Sequence, residues 1–348
     1  MNLLKIKILL VLIITAVSCR TAVTKVTEIG LADNKYDSDF ASNVNSSPLN
    51  RISNSVKMLN SIAYYESYLI SYDNKITLKD LNGLDINSVA IKKVHSTETA
   101  SGTATIIYSK NGRAALLTCS HIINFPDTLF SFHKIDSGSD TKYLESITIK
   151  IGQTNLLPEL TVSSEVEIIA IDNEADIALI GCETNSTNSG DFLSINTQWG
   201  NSNELDWGTK VYILGYPLNN KMITSGLVSP PQISGKNYFF VDAVFNRGFS
   251  GGIVLAVRDG APNFEIVGMV KSGTVHRKFN LVPDYNNPDF TYLPQIPYKD
   301  NLLVEEEKEM KYGVTKIMPV ETIIDFLEIN EGAINDYQLN TSRILNTK

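Results

Sequence analysis

The chain has 348 residues, of which 43% are apolar and 20% charged, a balance that suits a folded globular protein and excludes an intrinsically disordered one. Its length allows one large or two smaller domains. The formal charge of −8 argues against nucleic acid as a partner, because that binding rests on neutralising phosphates with Lys and Arg.

At the N-terminus, Lys5 and Lys7 precede an apolar run from Ile8 to Val17, far too short to cross a bilayer. Ala16-Val17-Ser18-Cys19 resembles a bacterial lipobox, with Ala16 where leucine is commonest. Residues 1–18 therefore read as a lipoprotein signal peptide and Cys19 as the lipidated first mature residue. That implies an exported protein of the bacterial cell envelope, anchored to a membrane on its periplasmic or surface side. An ordinary secretory signal with a chance cysteine is the other reading.

Residues 19–85 form an N-terminal extension. Up to about Asn45 it is polar and aperiodic, as in a flexible tether. Ser47-Pro48 has the form of an N-cap followed by proline at the first helical position. Leu49, Ile52, Val56, Leu59, Ile62 and Leu69 follow at helical spacing, which predicts an amphipathic helix over 48–70. Such a helix either packs outside the main domain or covers its cleft.

From residue 86 onward, short β-branched runs alternate with Asn, Gly, Ser and Pro clusters, as in Ile147–Ile151 and Tyr238–Phe245. This pattern indicates an all-β sandwich or barrel. Three of its segments carry chemistry. Thr118-Cys119-Ser120-His121 closes the apolar run Ala114–Leu117, Asp176 opens the run Ile177–Ile180, and Gly248-Phe249-Ser250-Gly251-Gly252 sits between two apolar runs. A hydroxyl is a poor nucleophile at neutral pH, so Ser250 needs a base within hydrogen-bond reach and a group that orients that base. Histidine, with an ordinary pKa of about 6.5, suits the base, and an aspartate holds its tautomer. Glycines beside the serine let peptide N–H groups approach the reacting atom.

These segments resemble the trypsin-like serine peptidases, in the style of the bacterial branch that includes the HtrA proteases. Ser101-Gly102-Thr103 is similar to the family's opening strand, and Leu117–His121 to its Thr-Ala-Ala-His. Asp176–Leu179 resembles its Asp-Ile-Ala-Leu, and Val211–Pro217 and Ser225–Ser229 resemble second-barrel strands. Asp242–Gly252 resembles the nucleophile loop, Ile266-Val267-Gly268 a wall of the substrate cleft, and Tyr312–Leu327 the last strand and closing helix. The resemblance covers residues 86–330. It implies two six-stranded antiparallel β-barrels, about 86–200 and 206–328, with a helical extension before them and a C-terminal helix. Residues 331–348 are left as a tail, too short for a PDZ module.

The resemblance also assigns roles. His121, Asp176 and Ser250 become the catalytic triad, and the N–H groups of Gly248 and Ser250 the oxyanion hole. Val244, Phe245, Lys271 and Gly273 fall at the substrate pocket. No cofactor is needed, and the partners are protein or peptide substrates. Three departures matter. Phe249 replaces an aspartate that pairs with a newly cut amino terminus in the digestive members, so activation of that kind is not expected. Val244 stands where specificity for basic side chains would place an acid, which favours small or medium apolar side chains before the cut bond. Phe245 is either a core residue or a plug of that pocket. Lys271, beside the triad aspartate, either draws on the charge of Asp176 or points to solvent.

Two function classes follow. One is a serine endopeptidase, and the other is a weak or inactive peptidase fold that serves as a binding module of the envelope. Cys119 and Cys182 lie in core strands and read as buried thiols, although an exported protein could pair them. With four histidines and no Cys/His cluster at ligand spacing, the sequence indicates no metal site. The 277–310 segment, rich in Pro, Asn, Asp, Tyr and Glu, is expected as an insertion at the cleft rim.

Overall fold

The computed structural model describes residues 36–37, 46–133, 141–160, 166–184, 192–230, 237–260, 262–283 and 302–345. Cys19, the lipobox-like segment and most of the expected tether lie outside these residues. The described chain is mostly strand, arranged as two curled antiparallel sheets.

The first sheet has seven strands: β2 (Val56–Ile70), β3 (Ala90–Lys110), β4 (Arg113–Thr118), β5 (Thr128–Phe132), β6 (Leu144–Leu156), β7 (Glu167–Asp172) and β8 (Ile177–Glu183). Their spatial order is β5-β6-β2-β3-β4-β8-β7. The helix expected over 48–70 is therefore only partly present. A helix α1 covers Ser46–Ser55, and from Val56 the chain continues as β2, paired with β3 and β6. Lys57, Leu59, Ser61, Ala63 and Tyr65 are buried, an alternation of period two. Two polar residues stand on that inward face, which is why the period was hidden among apolar positions that also fit helical spacing.

In the second sheet, β10 (Lys210–Gly215), β11 (Met222–Leu227), β12 (Phe239–Val241), β13 (Ile253–Arg258), β14 (Phe264–Pro283) and β15 (Leu302–Pro319) run in the order β11-β10-β13-β14-β15-β12. An isolated bridge between Val228 and Val241 joins the ends of that path, so six strands close on themselves. Two short strands add to it. β1 (Tyr36–Asp37) pairs with β13, and β9 (Gln198–Trp199) runs parallel to β14. The two ends of the 277–310 segment continue the ladder, with Val275–Pro283 of β14 paired to Leu302–Met310 of β15, and residues 284–301 lie outside the described residues.

Alternation along β10 and β13 distributes two cores. Val211, Ile213, Val254 and Ala256 face the interior of the second sheet with Phe239, Phe245, Phe249 and Ile317. Tyr212, Leu214, Ile253 and Leu255 face the larger core, which contains the first-sheet residues Ile106, Leu116, Leu117 and Ile180. The helices α2 (Val320–Ile329), α3 (Glu331–Asp336) and α4 (Thr341–Leu345) complete that larger core through Ile323, Phe326, Leu327, Ile334 and Ile344. Residues 331–345 of the expected C-terminal tail are thus packed structure, and the Trp199 indole N–H donates to the Ile344 carbonyl at 3.0 Å.

Candidate active site

β4 ends at Thr118, and Cys119 leads into a single helical turn, Ser120–Ile123. The turn presents His121 to solvent while Ile122 and Ile123 anchor it in the core. Across from it, the β7–β8 connection is tightened by Asp172, whose carboxylate accepts the N–H groups of Glu174 and Ala175 at 2.9 and 3.0 Å. That turn places Asp176 at φ +66, a left-handed conformation that aspartate tolerates better than most side chains.

The Asp176 carboxylate is shielded and accepts from three groups. These are the Ser120 hydroxyl and the His121 backbone N–H, each at 3.1 Å, and the His121 ring Nδ1, at 2.9 and 3.0 Å from the two carboxylate oxygens. A carboxylate facing Nδ1 fixes the proton there and leaves Nε2 as the basic nitrogen. Lys271 stands on β14. Its Nζ donates to the carbonyls of Ala175 at 2.9 Å and Glu174 at 3.4 Å, and so ties down the backbone immediately before Asp176.

The Gly248–Gly252 loop depends on two left-handed glycines. Gly248 has φ +104, and a Cβ there would stand 2.2 Å from the Tyr216 carbonyl oxygen. Gly251 has φ +80, and a Cβ there would stand 2.0 Å from the Thr103 carbonyl oxygen. Neither position admits a side chain without moving backbone. The N–H of Phe249 is held by Asn246, that of Gly251 by Val270 and that of Gly252 by Phe249. Among the described residues the N–H groups of Gly248 and Ser250 have no acceptor.

Thr103 on β3 fastens this loop to the first sheet. Its N–H donates to the Ser250 carbonyl at 2.8 Å, and its hydroxyl donates to the Gly248 carbonyl at 2.6 Å and accepts the Tyr216 N–H at 2.9 Å. The loop and the His121 turn also converge on shared neighbours. A Cβ at Gly102 would meet Ile122 Cδ1 at 2.2 Å and the Ser250 carbonyl at 3.1 Å. The Val270 carbonyl accepts both the Gly251 N–H at 2.9 Å and the Cys119 thiol at 3.2 Å. Sequence reasoning placed Ser101-Gly102-Thr103 on a strand but missed the role of Thr103. A threonine beside a glycine in an apolar strand was the available signal.

Phe249 is buried in the second core, where its ring lies against Gly215. Full burial of such a ring stabilises by roughly 1.5–3 kcal/mol. Phe245 belongs to the same core, so of its two readings the core one holds. Val244 is 55% exposed, which makes it a surface rather than the floor of a deep pocket. Gly273 lies in the β14–β15 ladder opposite Thr315.

Cys119 and Cys182 are both buried, and they form no disulfide with each other. Burial, with the nearby Asp176 charge adding to it, pushes the Cys119 thiol well above its ordinary pKa. Cys119 Sγ, a His121 ring nitrogen and an Asp176 oxygen lie within 4.8 Å of one another, a spacing that could hold a divalent ion. A thiol kept protonated and donating to a carbonyl is a poor ligand, so this set fits the hydrogen-bonded arrangement better.

Among curated proteins, none matches the chain. Residues 102–269 match the trypsin-like peptidase domain family, an interval that begins beside Thr103 and takes in His121, Asp176 and Ser250. With its two curled antiparallel sheets and C-terminal helix, the chain carries a trypsin-like peptidase domain.

Proposed function

We propose that the chain is a serine endopeptidase that works through His121, Asp176 and Ser250 and an acyl-enzyme. The observation that carries the reading is the His121–Asp176 pair, in which Nδ1 meets the carboxylate at 2.9 Å, set against a serine loop with two N–H groups that have no acceptor among the described residues. In this mechanism the Ser250 hydroxyl attacks the scissile carbonyl carbon as its proton passes to Nε2 of His121. The N–H groups of Gly248 and Ser250 receive the developing oxyanion, an effect that at one donor is worth about 10²–10³ in rate. Collapse of the tetrahedral intermediate expels the amine, which takes the proton from His121. Water, deprotonated by His121, then releases the acyl group and restores the serine.

Residues 1–18 and Cys19 support placing the enzyme in the bacterial cell envelope, lipid-anchored at Cys19. Substrates are proteins or peptides. The exposure of Val244 favours apolar side chains of small or medium size before the cut bond, without the deep pocket that a long side chain would need.

A fluorophosphonate probe tests the mechanism, because it reacts only with an activated serine. Labelling of the wild-type protein that is lost in Ser250→Ala, together with hydrolysis of a peptide library, supports the peptidase. Absence of both labelling and hydrolysis in a folded, purified protein would move the chain to the inactive binding class.

A further inference from the structure

The two ends of β10 and β13 carry different parts of the molecule. The serine loop lies at one end, where a Cβ at Gly252 would stand 2.5 Å from the Leu214 carbonyl oxygen and one at Gly215 would stand 2.9 Å from the Phe249 ring. The opposite end holds the start of β10, the end of β13 and the entry of β1 into the sheet. There Val211 pairs with Ala256, and Tyr36 pairs with Arg258. Leu227, the last residue of β11, pairs with Lys210 at that same end. From Lys210 to Gly215 the strand runs about 17 Å at ~3.4 Å per residue, so the two ends face apart.

Trp207 projects from the end where Tyr36 enters. It is 70% exposed, and the turn that carries it is tied down. The Asp206 N–H donates to the Thr209 hydroxyl at 3.0 Å, the Thr209 N–H to the Asp206 carbonyl at 3.1 Å, and the Gly208 N–H to the Val228 carbonyl at 3.0 Å. Leu227, next to Val228, is 43% exposed. Trp199, the chain's other tryptophan, commits its indole N–H to Ile344, whereas that of Trp207 has no acceptor among the described residues. An exposed ring with a wet polar edge suits the boundary between water and lipid, where the ring enters the acyl region and the N–H stays hydrated.

We propose that this end of the second sheet rests on a phospholipid bilayer, with Trp207 and Leu227 set into its headgroup boundary. The contact depends on the Cys19 anchor of the proposed function. Sixteen residues separate Cys19 from Tyr36, and a flexible chain of that length spans about 20–24 Å on average. An anchor at Cys19 therefore holds the end where Tyr36 enters, rather than the Ser250 end, beside the lipid. Confinement of that kind raises the effective concentration of the bilayer, so a small apolar patch suffices to dock. Exposed Glu204 and Asp206 stand beside the turn in a chain of net charge −8, so the contact is apolar and draws nothing from anionic lipid. The serine loop then opens away from the membrane, and substrates reach it from the aqueous side.

The test uses the chain from Cys19 onward, coupled through the Cys19 thiol to a maleimide lipid in phosphatidylcholine vesicles whose acyl chains carry bromine near the headgroups. Cys119 and Cys182 are buried, so the coupling goes to Cys19. Bromine quenches a tryptophan only on contact. Wild-type protein should lose roughly half of its emission, the share of one of its two tryptophans, and raised salt should leave that loss unchanged. Trp207→Phe, which leaves Trp199 as the reporter, should lose none. Leu227→Asn keeps both tryptophans and should cut the quenching at least twofold, with circular dichroism as the fold control. Unquenched wild-type protein, quenching retained in Trp207→Phe, or quenching removed by salt would overturn the proposal. So would sedimentation that finds a dimer dissociated by Trp207→Asp, since the surface would then belong to a second copy. Incorporation of fatty acid at Cys19 in cells reports separately on the anchor. The coupled lipid supplies a tether in either case, so loss of the anchor and loss of the docking surface give different results.

Discussion

The hydroxyl of Thr103, on the first sheet, donates to the carbonyl of Gly248 at 2.6 Å and so sets the peptide plane next to Ser250 from across the interface between the two sheets. The same oxygen accepts the Tyr216 N–H, so one side chain serves two backbone groups of the second sheet. Thr103→Val keeps the shape and removes both bonds. Stability should fall by about 1–3 kcal/mol, the cost of leaving buried polar groups unpaired. Hydrolysis should fall tenfold or more through kcat with KM little changed. Denaturant titration and steady-state kinetics on the same preparation check both, and wild-type kcat would mean that the Gly248 peptide is positioned by other contacts.

The triad variants Ser250→Ala, His121→Ala and Asp176→Asn should each leave a folded protein with activity reduced by at least 10⁴. Their effects should not add, because three groups that act as a unit lose most of their worth when one is removed. Kinetics on single and double variants, with circular dichroism as the fold control, measure this. Additive losses would show that the three groups act separately.

Lys271→Met removes the donor that holds the Glu174 and Ala175 carbonyls, and with it a restraint on the left-handed Asp176. A drop in kcat of about tenfold, restored in large part by Lys271→Arg, is the expected outcome. Such a loss corresponds to about 1.4 kcal/mol of transition-state stabilisation. Unchanged kinetics in Lys271→Met would leave the lysine a surface residue.

Cys119 predicts a chemical and a thermodynamic result. Its thiol pKa is raised by burial, so the folded state keeps the proton to higher pH than the unfolded chain does. Below about pH 8.5 both states are protonated and the group is silent; above that, the unfolded state ionises first and stability falls with rising pH. Iodoacetamide at pH 8 should modify Cys119 only after denaturation. The alkaline loss of stability should be smaller in Cys119→Ala than in the wild type, once measured relative to each protein's value at pH 7. Rapid alkylation of the native protein would contradict the burial.

Cys19→Ala should release the protein from membranes and abolish incorporation of labelled fatty acid. Stable anchoring takes more than one acyl chain, which the modified cysteine of a bacterial lipoprotein supplies. Fractionation of cells that make each form decides it, and an unlabelled, soluble wild-type protein would remove the anchor from the proposal.

Much of the domain was legible because its strands are short, β-branched and separated by turn residues. The segments that carry His121, Asp176 and Ser250 stand out in the sequence because each lies at a strand end or beside glycines. The failures have physical causes. In β2 the inward positions Lys57 and Ser61 are polar while Met58 and Ile62 turn outward, so the period-two signal was weak; the aromatics Tyr64, Tyr65 and Tyr68 were the better guide. Tyr36 gave no periodic signal at all. Its strand exists because its ring stacks under Arg258 at 4.2 Å and its hydroxyl donates to Glu265 at 2.9 Å, partners more than 220 residues away. Thr103 was missed because its role depends on contacts to Gly248 and Tyr216, which no local pattern encodes.

Phe249 has a consequence for control. Where a peptidase organises its oxyanion pocket with a freed amino terminus, synthesis and competence are separated in time by a cut. In this chain Phe249 is a ring packed in the second core, so under the proposed mechanism the pocket forms together with that core. Heating should then abolish serine labelling and core packing in one transition, and no dormant precursor should accumulate in the cell. Under the proposed function, restraint of such an enzyme comes from which chains can reach it.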